Sequence, residues 1–65
     1  MTLEAMEKEY QAAKAAFDAA SMALAKADGR RCSDDVWRRL SAERDTALAV
    51  RRAAFDRWMT EAAKV

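Results

Sequence analysis

The residues best suited to specific contacts in this chain are two tryptophans and two arginines that recur every seven positions: Trp37, Arg44, Arg51 and Trp58. Residues spaced by seven lie on one side of an α-helix, so this Trp–Arg strip would hold two guanidiniums between two indole rings. Arginine and tryptophan are enriched at binding hot spots, which makes recognition of another macromolecule the chemistry that the strip offers.

Two interpretations of the strip stay open. A guanidinium covered by apolar side chains is costly unless a carboxylate pairs with it or its end reaches water. In the structural interpretation Arg44 and Arg51 form ion pairs that fix the packing of the helices. The candidate acids are Glu9 and Asp18 in the first half of the chain, and Glu43 and Asp45 of a second copy. In the functional interpretation the arginines bind a partner.

A second group of arginines surrounds the middle of the chain: Arg30, Arg31, Arg38 and Arg39. Such a cluster can neutralise the phosphates of a nucleic acid. Three aspartates stand in the same segment and the whole chain has a net charge of only +1. The alternative to a phosphate-binding site is therefore a solvated turn whose charges compensate each other.

The sequence offers few side chains that are suited to catalysis. The chain has no histidine and one cysteine, Cys32, so no imidazole can activate the thiol, and a disulfide framework or a His-containing zinc site is excluded. We find no carboxylate pair or nucleophile triad either. The sequence predicts a non-enzymatic protein with no catalytic residues, no cofactor and no metal site.

The elements that must position these residues are helices, because the chain lacks proline and 17 of its 65 residues are alanine. Thr2 and Ser33 are suitable N-caps, and Gly29 is suited to the turn between the two helices. The prediction is an all-α, coiled-coil-like antiparallel hairpin. Its single domain covers residues 1–65, with helix 1 at about 2–28, the turn at about 29–32 and helix 2 at about 33–64.

Apolar periodicity predicts how the helices pack. In helix 1 it alternates by three and four without a miss, giving the seam Leu3, Met6, Tyr10, Ala13, Phe17, Ala20, Leu24 and Ala27. Helix 2 carries two seams. The first seam is Val36, Leu40, Ala47, Ala54, Trp58 and Val65, and the second seam is Trp37, Leu48, Phe55, Met59 and Ala62. A reversal of the chain near residues 30–31 would set Phe17 opposite Arg44 and Tyr10 opposite Arg51.

A helix with two seams has two neighbours. One seam of helix 2 faces helix 1, and the other needs a second copy or a different protein. A chain of 65 residues also builds only a thin core by itself. We therefore expect a homodimer that forms a four-helix bundle.

The N-terminal sequence and the apolar runs bear on location. Glu4, Glu7 and Glu9 stand where a signal peptide needs positive charge followed by an apolar stretch. No apolar run is long enough to cross a membrane. The expected location is cytoplasmic, without membrane contact.

The leading functional expectation is a small protein-interaction module, such as an adaptor, an inhibitor or an accessory protein, that acts through the surface of the hairpin or bundle. The layout also resembles that of Rop-type plasmid regulators, whose two-helix hairpins dimerise into four-helix bundles that bind paired RNA loops. This resemblance, in size and layout without a shared residue motif, implies an alternative: an RNA-binding regulator that uses the arginine-rich turn and helix 2. A purely structural coiled-coil element is the third possibility.

Overall fold

A computed structural model, which describes residues 2–28 and 33–64, contains two α-helices that pack against each other as a hairpin. Helix α1 spans Leu3–Asp28 and helix α2 spans Asp34–Ala63. The chain measures 49 × 14 × 13 Å along its principal axes. The predicted all-helical hairpin is confirmed, whereas the turn at 29–32 lies outside the described residues, with Gly29 and Cys32 in it.

Both helices begin at the predicted N-caps. The Thr2 hydroxyl accepts a hydrogen bond from the backbone N–H of Ala5 at 3.1 Å. The Ser33 hydroxyl accepts one from the N–H of Val36 at 3.3 Å, with Ser33 itself in an extended conformation. Each helix has acidic residues in its first turn, where the helix dipole favours negative charge. Local sequence therefore fixes where each helix begins.

The seam of α1 forms the inner side of the hairpin. All eight of its positions are buried or half-buried, and Met6, Ala13 and Leu24 are the most enclosed. The first seam of α2 faces α1 in the same way at every position up to Trp58, and Val65 lies outside the described residues. The most enclosed described residue is Ala54, which is 1% exposed. A small residue at this position allows the helices to approach closely.

The register of the two helices differs from the expected one. Tyr10 contacts Phe55 and Trp58 instead of Arg51, and the guanidinium of Arg51 lies over the ring of Phe17. The contacts are thus displaced by one to two turns along α2. The predicted register would have packed Tyr10 against a guanidinium, whereas the observed register packs it against the rings of Phe55 and Trp58, which are favourable aromatic contacts. The observed register leaves both arginines of the Trp–Arg strip half-exposed.

The core of the hairpin is thin. Among the described residues no large side chain is fully buried, and no polar or charged side chain is buried. The chain exposes 4942 Å². A compact folded monomer of this mass exposes about 4200 Å². The isolated hairpin thus leaves about 800 Å² more surface in contact with water than a compact fold of its size.

Candidate functional site

The second seam of α2 remains largely open. Trp37 is 39% exposed, Phe55 43% and Met59 38%, while Leu48 is half-buried between them. These four residues, which we call the open face, lie beside the line of contact with α1. Large apolar side chains that stay in water along one helix are typical of a surface that another protein covers.

An aromatic cluster near the C-terminal end of α2 connects the open face to α1. The ring of Tyr10 lies 5.4 Å from that of Phe55 and 5.6 Å from that of Trp58, measured between centroids. Phe55 and Trp58 meet edge to face at 6.5 Å. These separations are in the favourable range for aromatic pairs. The cluster contacts Phe55 from two rings while the residue remains 43% exposed.

Two shallow depressions run along this side of the hairpin and share Leu48. One is lined by Tyr10, Leu48, Arg51, Arg52, Phe55 and Asp56. The other is lined by Phe17, Ser21, Leu24, Ala25, Trp37, Arg44, Asp45 and Leu48. We call the two depressions together the groove; its lining combines apolar side chains with charged ones. Such a groove fits the ridge of another helix better than it fits an enclosed small molecule.

The two arginines of the Trp–Arg strip have different surroundings. Arg44 donates a hydrogen bond to Asp45 of the same chain at 3.3 Å, and its side chain is 41% exposed. The guanidinium carbon of Arg51 lies 5.3 Å from the centroid of Phe17, a cation–π geometry. Within the parts of the chain that the structure describes, Arg51 has no carboxylate within salt-bridge distance.

The other candidate acids do not form the ion pairs that the structural interpretation requires. Glu9 pairs with Arg57, not with either arginine of the strip. Among the described residues neither Asp18 nor Glu43 forms an ion pair with the strip. Sequence reasoning missed the Glu9–Arg57 pair, although the displaced register brings these two residues together. Neither strip arginine is thus a fully buried ion pair inside the hairpin.

The Trp–Arg strip does not lie along a single face. Trp37 at one end is exposed, whereas Trp58 at the other end packs against Tyr10. A straight α-helix drifts about 20° with every seven residues, so a strip with this spacing winds around α2. Its N-terminal end belongs to the open face and its C-terminal end belongs to the contact with α1.

The candidate phosphate-binding arginines are only partly described. Arg38 and Arg39 are exposed in the first two turns of α2, and the exposed residues Asp34 and Asp35 precede them. Arg30 and Arg31 lie outside the described residues. The described half of the cluster is therefore a solvated surface of mixed charge.

No group of three or more His, Cys, Asp or Glu side chains in residues 2–28 and 33–64 is arranged to hold a metal ion. Neither α1 nor α2 combines the length and the apolar character that a membrane span requires.

Comparison with known proteins found no match: no protein-family model fits the chain, and neither a curated protein nor a solved structure resembles it significantly.

Proposed function

We propose that this protein is a non-enzymatic protein-interaction module whose binding surface is the open face. The observation that carries the proposal is the exposure of Trp37, Phe55 and Met59 along one side of α2. Aromatic residues and methionine are enriched in protein interfaces. Burying them would add the enclosed apolar contacts that the hairpin itself lacks.

Association of two hairpins through the open face would produce a homodimeric four-helix bundle. In that form α2 has two neighbours, α1 on its first seam and another helix on its second. The arginines at the margin of the groove would then contribute selectivity, because charged groups beside an apolar contact mainly decide which partner fits.

The charge pattern favours a protein partner over a nucleic acid. Arg38 and Arg39 share the beginning of α2 with Asp34 and Asp35, and the net charge of the chain is +1. Binding that depends on phosphate contacts needs a concentrated positive surface and weakens steeply with salt. A protein interface built on the open face should retain its affinity when the salt concentration rises.

Two methionine variants test the proposal. Met59→Glu places a charge on the open face, and Met22→Glu places the same charge on α1, at a methionine that is 64% exposed away from α2. Both methionines are already exposed to solvent in the hairpin. A charge at either position therefore should not unfold it. We expect sedimentation equilibrium to show association of the natural chain and of Met22→Glu, and at least tenfold weaker association of Met59→Glu.

The contrary result is that all three chains associate equally strongly in sedimentation equilibrium. If Met59→Glu associates as strongly as Met22→Glu, the open face is not the interface. If all three remain monomeric and a paired RNA hairpin binds with a steep salt dependence, the RNA-binding alternative replaces this proposal.

A further inference from the structure

We infer that the partner of the open face is a second copy of this chain, bound with its α2 antiparallel to the first and with the two-fold axis beside Leu48. This inference rests on the proposed function, because it names the occupant of the same surface. The symmetry of the apolar residues, the order of the charges along α2 and the exposed area all favour this arrangement.

The apolar residues are arranged symmetrically about Leu48. Trp37 and Met59 lie 11 residues before and after it, which is about three helical turns in each direction. In an antiparallel pair the two Leu48 side chains meet, and Trp37 of each copy meets Met59 of the other. A thioether against an aromatic ring is a favourable contact. A two-fold interface needs a surface that complements itself in this way.

The next symmetric pair matches a large side chain with a small one. Ser41 and Phe55 lie seven residues before and after Leu48. The ring of Phe55, which is 43% exposed in the hairpin, would cover the small side chain of Ser41 in the second copy. Alternation of large and small residues across an interface lets the two helices interdigitate.

The order of the charges beside the open face also favours an antiparallel pair of α2 helices. On the side of the open face that is further from the first seam of α2, four exposed residues alternate in sign: Arg38, Asp45, Arg52 and Asp56. Antiparallel pairing about Leu48 brings Asp45 within one residue of Arg52 of the second copy and Arg38 within two residues of Asp56 of the second copy, axial offsets of about 1.5 and 3 Å that these side chains can span. Parallel pairing would instead set each charge beside its own counterpart. Opposite charges across an interface favour the correct register and disfavour others.

The strip arginines do not oppose this arrangement. Antiparallel pairing brings Arg44 of one copy towards Arg51 of the other, which would repel if both were unpartnered. In the hairpin Arg44 is bonded to Asp45, and Arg51 is directed to the ring of Phe17. The first guanidinium is thus paired within its own chain, and the second lies over an aromatic ring of α1 at the margin of the groove, which offsets part of the repulsion.

The exposed area agrees with one interface of ordinary size. The hairpin exposes about 800 Å² more than a compact monomer of its mass, and each partner in a standard protein–protein interface buries roughly 800 Å². The hairpin therefore has enough surplus surface for one interface of ordinary size.

Cysteine cross-linking distinguishes the two directions. In a Cys32→Ser background, one chain carries Asp34→Cys and another carries Ala63→Cys, two exposed positions at opposite ends of α2. The antiparallel pair brings these two thiols together, whereas two copies of the same variant keep their thiols roughly 42 Å apart. After refolding the mixture together, a short bis-maleimide should cross-link one chain of each kind. Neither variant alone should be cross-linked, and addition of Met59→Glu should abolish the product.

The result that overturns the inference is cross-linking of each variant with itself, which indicates parallel helices. A dimer in sedimentation with no cross-link in any sample also overturns it, while leaving the proposed function in place. Monomers in every sample, with no effect of Met59→Glu, contradict both.

A charge exchange checks the register independently. Asp56→Arg places two positive charges opposite each other at both ends of the two-fold interface, and should weaken the dimer roughly three- to thirtyfold. The double variant Arg38→Asp/Asp56→Arg exchanges the signs and should recover most of the lost affinity. If the double variant is as weak as the single one, these two positions do not face each other.

Discussion

Ala54 is the position at which the packing of the hairpin can be tested most sharply. The residue is 1% exposed, and it lies in the first seam, where α2 approaches α1. The neighbouring Ala53 is exposed on the same helix. Substitution of each by leucine therefore makes the same chemical change, with similar helix propensity, at an enclosed site and at an open one.

The expected cost follows from the lack of free space at Ala54. Forcing extra carbon atoms into a closely packed site typically costs 1–3 kcal/mol, so we expect Ala54→Leu to lose about 2 kcal/mol of unfolding free energy. A domain of this length has roughly 3–10 kcal/mol in total. In a domain of this size each kcal/mol corresponds to about 4–8 °C in melting temperature, so Ala54→Leu should melt roughly 8–16 °C lower. Ala53→Leu should stay within about 0.5 kcal/mol of the natural chain.

Thermal unfolding followed by circular dichroism measures both variants. The chains must be compared at one protein concentration, because the melting temperature of an associating protein depends on it. If Ala54→Leu and Ala53→Leu have the same melting temperature, the helices do not approach closely at Ala54 and the observed register is wrong.

Three other substitutions test separate parts of the structure. Leu24→Ala removes an enclosed seam residue and should cost roughly 2–5 kcal/mol in urea unfolding; a loss below about 0.5 kcal/mol would mean that the seam of α1 is not buried. Arg44→Met breaks only an exposed pair with Asp45, so chemical unfolding should change by at most about 1 kcal/mol, whereas a larger loss would indicate a buried ion pair. Ser33→Ala removes the cap of α2 and should cost about 1 kcal/mol, with Ser33→Gly much closer to the natural chain, and equal losses would argue against the cap.

The parts of the fold that depend on local sequence could be predicted from it. The N-caps at Thr2 and Ser33 follow from side chains that accept hydrogen bonds from the first turn. The seam of α1 follows from an apolar spacing that leaves a helix only one side to bury. Both predictions are confirmed by the hydrogen bonds and by the burial of the seam.

The register could not be predicted in the same way, because it depends on how two surfaces fit and not on either helix alone. Each helix allows several registers that differ by one turn. The choice between them depends on where Ala54 permits close approach and on keeping Arg44 and Arg51 in contact with water. A register obtained by counting residues from an assumed turn at 30–31 takes neither the close approach at Ala54 nor the hydration of the two arginines into account. The contact of Tyr10 with Phe55 and Trp58 is the consequence that this reasoning missed.

The candidate site was predictable as a seam but not as an exposed surface. The spacing of Trp37, Leu48, Phe55 and Met59 indicates a second apolar side of helix 2, yet spacing alone does not say which of two seams α1 covers. The Trp–Arg strip was harder to place, because its drift around the helix separates the exposed Trp37 from the packed Trp58.

Solvent access to Trp37 shows directly whether a second copy covers the open face. In a Trp58→Phe variant, which keeps an aromatic ring beside Tyr10, Trp37 is the sole tryptophan and its fluorescence reports the open face alone. It is 39% exposed in the single hairpin. We predict that acrylamide quenching of this fluorescence falls over the same range of protein concentration in which the mass doubles from 7.3 kDa. Doubling of the mass with unchanged quenching would place the interface elsewhere and contradict the account.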